Sequence, residues 1–170
     1  MTARDSRTGP PSGTVPVVVP GDVVLVRSPG LVVWAGAITV YPEGFAFTLL
    51  TLTDTRHVRR PASWALDVAE RGRMTWLEIG YPDGRRRAAD LNANTPHRQS
   101  RGPHLRMLDG SASENSSVDR WWVTPLPPPG PVELAIHLSG QAEPTGVANL
   151  DGAALAGAAA AAKVMWTGRR

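Results

Sequence analysis

The sequence predicts a mainly β domain: an antiparallel β-sandwich of about eight strands with a C-terminal α-helix. Three observations carry that class. Apolar and polar residues alternate over short stretches, most regularly in Val132–Leu138, where Val132, Leu134, Ile136 and Leu138 share one parity and Glu133, Ala135 and His137 the other, the period of a half-buried strand. Gly and Pro number 17 and 16 in 170 residues, enough turn punctuation for many short elements. A single alanine-rich helical stretch follows Asp151. A partly closed barrel fits the same signals.

Residues 1–14 are polar, Pro/Gly/Ser-rich and aperiodic, and are expected as a disordered tail or loosely docked arm before a single domain over 15–166, with 167–170 as a second tail. Val17–Val19 and Val23–Arg27 read as an edge strand broken at Pro20-Gly21. Leu31–Tyr41 is apolar on both parities, so both of its faces are expected to be covered, by a second layer or a partner subunit. Tyr41-Pro42-Glu43-Gly44 is a turn, and its returning strand carries Phe45, Phe47 and Leu49 on one face. Leu50 and Leu52 continue on the other face, a parity change expected from a β-bulge.

Asp54–Arg73 fits a short helix or an irregular excursion. Thr75–Tyr81 and Arg85–Leu91 flank Pro82-Asp83-Gly84 as a hairpin whose arginine-rich return is a wet edge. Asn92–Pro103 reads as loop, His104–Leu108 as a strand and Asp109–Ser117 as a mobile loop. Arg120–Val123 leads into Trp121-Trp122 and then Pro125, Pro127, Pro128, Pro129 and Pro131. Strand signals abut both ends, so this proline run is expected to be a rigid crossing between strands rather than a ligand for a polyproline-binding module. Gly146–Leu150 is a last strand. Asp151 caps a helix over 152–166, with Leu155, Ala159, Ala162 and Trp166 on one stripe.

WAGAITVYPEGFAFTL, LEIGYPDGRRRAADL, the polar loop before WWVTPLPPPGP, and LDGAALAGAAAAAKVMW together resemble a family of proteins from high-GC Gram-positive bacteria that has no assigned activity. The Trp-Trp-x-x-Pro-Leu-Pro-Pro-Pro-Gly-Pro run is the most specific part, and the resemblance covers most of residues 31–166. It implies the domain limits and no catalytic residues. Similar proteins carry a glycine-dense loop and an aromatic strand where this chain has Glu114-Asn115-Ser116-Ser117 and Ile136-His137-Leu138.

Composition narrows the function classes. The formal net charge is +3, and Lys163 is the sole lysine among 18 basic residues, a bias that fits a GC-rich coding genome before it implies phosphate recognition. Without cysteine, disulfides, thiolate metal sites and a Cys nucleophile are excluded. The N-terminal apolar runs are broken by Pro16, Pro20, Gly21 and Asp22, so neither a signal peptide nor a membrane span is expected, and a cytoplasmic location is the default.

No catalytic residue and no cofactor is assigned. Of the four histidines, the spacing of His97 and His104 matches no common zinc motif, His57 is distant, and His137 lies on the polar parity of its strand, where a solvated surface role is expected. A metal site from His97, His104 and Asp90, or a histidine-centred hydrolase, is the weakest reading. No nucleophile elbow and no phosphate-cradling glycine loop occurs.

Arginine offers an alternative function: Arg85, Arg86, Arg87, Arg98 and Arg101 cluster around the Asp83-Gly84 hairpin and would form a phosphate-binding or nucleic-acid face if they share a side of the sheet. The favoured expectation is a non-catalytic protein-interaction or assembly module, contacting itself or a partner through Trp34 and the Trp121-Trp122 pair. Adjacent strand residues point to opposite faces. One of the two indoles is therefore expected in the core, and the other partly exposed or under the helix.

Overall fold

The computed structural model describes residues 8–54, 56, 76–91, 102–137 and 143–166. Alternation is realised as β1 (Thr14–Val15), β2 (Val17–Val19), β3 (Val23–Ser28), β4 (Leu31–Tyr41), β5 (Gly44–Thr53), β6 (Trp76–Gly80), β7 (Arg86–Asp90), β8 (His104–Ala112), β9 (Ser116–Thr124), β10 (Pro131–His137), β11 (Gly146–Asp151) and β12 (Lys163–Val164), with α1 (Gly152–Ala161) between β11 and β12. The region expected as a helix or excursion after Asp54 lies almost entirely outside the described residues, as do the outer tails and Leu138.

One sheet runs β2–β4–β5–β9–β8 with β3 also on β4, a second runs β11–β10–β6–β7, and β1 pairs with β12 alone. Every pairing is antiparallel. The two larger sheets face each other and bury one core: Val33, Ile38, Val40, Phe45, Phe47, Leu49 and Trp121 from the six-stranded sheet meet Leu77, Ile79, Leu134 and Ile136 from the four-stranded sheet. Among the described residues no ladder joins the two larger sheets, so the architecture is a sandwich rather than a closed barrel.

Close approaches fasten both open sides. Where β3 meets β11, a side chain at Gly146 would run into the Leu25 carbonyl. On the other side, one at Gly102 would run into the Arg86 carbonyl, and Arg87 Nε donates to Pro103 O at 3.0 Å. The proline run is the crossing between the sheets: β9 ends at Thr124, β10 begins at Pro131, Tyr81 Oη donates to the Pro125 carbonyl, and Gly152 N donates to Gly130 O at 2.9 Å, docking the start of α1 on it. Burial holds the Tyr81 phenol well above its ordinary pKa, with Arg85 opposing.

Three expectations are corrected. The helix ends at Ala161, not Trp166, because Lys163–Val164 leaves it to pair with Thr14–Val15 and takes the hydrogen bonds of a ladder instead. The same pairing, with Met165 N donating to Gly13 O at 2.8 Å, docks Gly13 and Thr14, the end of the stretch expected as a tail or a loosely docked arm. Asp109–Ser117 forms the facing ends of β8 and β9 around a short turn, where Ser113 N donates to Ser116 O at 2.7 Å; an edge ladder is satisfied by backbone and needs no apolar side chains. The bulge lies in β4 between Gly36 and Thr39, with Ala37 at φ 50, and not in β5, whose register with β9 is continuous. Leu50 and Leu52 are therefore on the sheet's outer face.

Candidate functional site

The outer face of the six-stranded sheet carries the most unusual surface. Cross-strand register sets Val24 beside Trp34, Trp34 beside Leu50 and Leu50 beside Val118, and in the next row sets Val32 beside Leu52. This is one contiguous apolar patch over four hydrogen-bonded strands. Val24, Leu52 and Val118 are 49%, 43% and 40% exposed, and Trp34 is half-buried. The indole lies over Gly36, where a Cβ would strike both the ring and the Asp22 carboxylate.

Arg27 stands beside Val32, and Arg120 lies beyond Val118 opposite Asp109. Each flank of the patch therefore holds one arginine and one aspartate. The inward parity of β4 is covered by the facing sheet, as expected; on the outward parity Val32 and Trp34 remain partly open.

Trp121 and Trp122 both have to be withdrawn as partner-binding residues, because both are fully buried. Trp121 faces the main core. Trp122 points outward, but Tyr41, Ala46 and Leu108 surround it, and the Tyr41 ring meets it edge-on at 5.5 Å. Gly9 lies against Leu108, so the N-terminal arm reaches this part of the face. The helix is not its cover, because Gly152 and Leu155 are the buried residues of α1.

The arginines of the hairpin do not form one face. Arg85 bonds Asp83, with Nη2 2.7 Å from Oδ2, and lies over the Tyr81 ring. Arg86 Nη1 sits 2.7 Å from both Glu78 and Glu133 on the outer face of the four-stranded sheet. Arg87 has the opposite parity and reaches Pro103. Arg85 and Arg86 are paired with carboxylates and Arg87 reaches a backbone carbonyl, in three directions. Arg98 and Arg101 lie outside the described residues.

His137 is not the solvated histidine expected from parity. It is 8% exposed, stacks on Trp76 with ring centroids 4.8 Å apart, and places Nε2 3.9 Å from Glu78 Oε2, while Nδ1 is buried without a partner. His104 is half-buried at the far end of β8, and His57 and His97 lie outside the described residues. Among the described residues no three His, Asp or Glu side chains are grouped as metal ligands, and no helix is long and apolar enough to cross a membrane.

Sequence reasoning missed Val24, Leu50, Leu52 and Val118 as surface residues. The signal was present in β5: Leu50 and Leu52 at constant parity mean two apolar faces, and only a bulge assigned to that strand hides it. No family model, curated protein or solved structure matches the chain.

Proposed function

We propose that the protein is a non-catalytic assembly module whose outer six-stranded face docks a second copy of the chain. The observation that carries this reading is the row Val24–Trp34–Leu50–Val118 with Val32 and Leu52 beside it. Burying the part of these side chains still exposed contributes about 25 cal/mol per Å² of apolar surface, and a contiguous exposed patch of this kind marks an interaction surface more often than chance. A second copy fits because the flanks are mixed in charge. A twofold arrangement pairs Arg27 and Arg120 of one protomer with the aspartates of the other, the self-complementarity that an isologous interface requires.

Light scattering over a concentration series tests it. The wild-type chain is expected to shift toward twice the monomer mass, and Leu52→Arg with Val118→Arg to remain monomeric with an unchanged circular dichroism spectrum. A wild-type chain that stays monomeric at high concentration overturns the proposal. So does a dimer indifferent to the double substitution, or a different protein held by the same residues.

A further inference from the structure

Three rows of outward residues cross the six-stranded sheet, and cross-strand register fixes their order. The first runs Arg27, Val32, Leu52 and Ser116, and the second Val24, Trp34, Leu50 and Val118. The third runs Gly36, Thr48 and Arg120, with Asp109 beyond. Asp22 completes this row on the β3 side: its carboxylate and the Trp34 ring lie side by side over Gly36, where a Cβ would strike both. An acid therefore stands at one edge of the patch and a base in the same row at the other. Asp22 is exposed and Arg120 half-buried. Among the described residues neither side chain makes an ion pair or a hydrogen bond, even though register sets Arg120 opposite Asp109.

Two copies that meet face to face are related by an axis lying in the plane between them, so each residue meets the position reflected across that axis. An axis along the strands, between β4 and β5, sets Val24 on the partner's Val118, Trp34 on the partner's Leu50 and Val32 on the partner's Leu52. All six apolar residues then cover one another. An axis across the strands, along the second row, instead turns Val32 and Leu52 onto Gly36 and Thr48 of the third and sets Asp22 against Arg27. Burial of apolar surface decides for the first axis. With it, the position reflected onto Asp22 is Arg120.

On the assembly reading, we infer that the twofold axis runs along the strands between β4 and β5 and that the Asp22–Trp34 seat of each copy receives the partner's Arg120. A guanidinium suits this seat on two counts, because its flat face stacks on an indole while its N–H groups bond a carboxylate. The long arginine side chain spans the offset that the twist between packed sheets introduces. Symmetry makes the contact twice, and like charges placed at the two seats oppose docking.

Charge exchange tests the inference, with light scattering and native mass spectrometry on the full chain. Asp22→Arg and Arg120→Asp are each expected to weaken the dimer by at least about tenfold, since each sets like charges together at both seats. Mixed in equal amounts, the two variants are expected to regain wild-type affinity as a mixed dimer, in which both seats hold opposite charges. Arg27→Asp is expected to leave the dimer as it is. Arg120→Gln, which puts no second acid beside Asp109, is expected to weaken it less and in the same direction. Either charge variant dimerising like wild type, or a mixture that fails to recover, overturns the inference, as does recovery with Arg27→Asp in place of Arg120→Asp. Where Leu52→Arg with Val118→Arg still abolishes the wild-type dimer, these outcomes overturn the inference alone; a monomeric wild type overturns the assembly reading with it. Both substituted side chains reach solvent, so the variants are expected to fold, which circular dichroism checks.

Discussion

Asp119 is a carboxyl group in the wrong solvent. Burial raises its pKa and the Ser117 hydroxyl only partly offsets this, so the folded chain holds the proton more tightly than the unfolded chain. The sign of the consequence follows by linkage. The stabilisation from the protonated form is complete below the unfolded carboxyl value of about 3.9 and is lost as pH rises through the higher folded value. Asp119→Asn removes that titration. The variant is expected to be more stable than wild type at neutral pH and to lack the decline over that window; urea unfolding as a function of pH reads both. An unchanged pH profile would show that Asp119 is solvated in the folded chain. Parity signals this burial, because Asp119 shares its face with Trp121 and Val123 and alternation puts it in the core with them. His137 makes the converse point: its polar parity is real, and it is nonetheless covered, since exposure depends on what other parts of the chain lie over a face.

The elements themselves follow local rules closely. β4 spans the residues its apolar run predicts, Leu31–Tyr41, and Asp151 caps α1 by accepting from Ala153 N at 2.9 Å and Ala154 N at 3.2 Å. Beyond that cap and the bond from Gly152 N to Gly130 O, the helix buries one large side chain, Leu155, with Ala158 and Ala159 against the core. Intrinsic propensity should therefore decide its stability, and Gly157 is the place to measure it. A Cβ there meets nothing within 4 Å and its φ is not positive, so Gly157→Ala is expected to stabilise the protein by about 0.5–1 kcal/mol, read from the thermal midpoint. The helix end was not legible in the same way. Ala162, Lys163 and Val164 continue an acceptable helical composition, and only the availability of Thr14–Val15 as a strand partner, distant in sequence, draws them out of it.

At the scale of the molecule, two sheets are held together by their apolar faces, by the crossing at Thr124–Pro131, and by glycines at the open sides. Gly146 and Gly157 make a paired test. The same substitution should act with opposite sign, because Gly146→Ala drives a methyl group into the Leu25 carbonyl and is expected to cost about 1–3 kcal/mol. Faster amide exchange in β3 and β11 should accompany the loss. A neutral Gly146→Ala would mean that the side joining these strands is loose. The sequence by itself determined most strand positions, the inward parity of β6 and β10, the proline crossing and the helix cap, because alternation, fixed φ and capping act over a few residues of chain. Only the tertiary structure decided that both indoles of Trp121-Trp122 are covered, that Arg85, Arg86 and Arg87 point to separate partners, and that Val24, Trp34, Leu50 and Val118 meet on one open face. Those outcomes depend on register and on which layer covers which, and both are set by contacts between segments far apart in the chain, where local pattern carries no information.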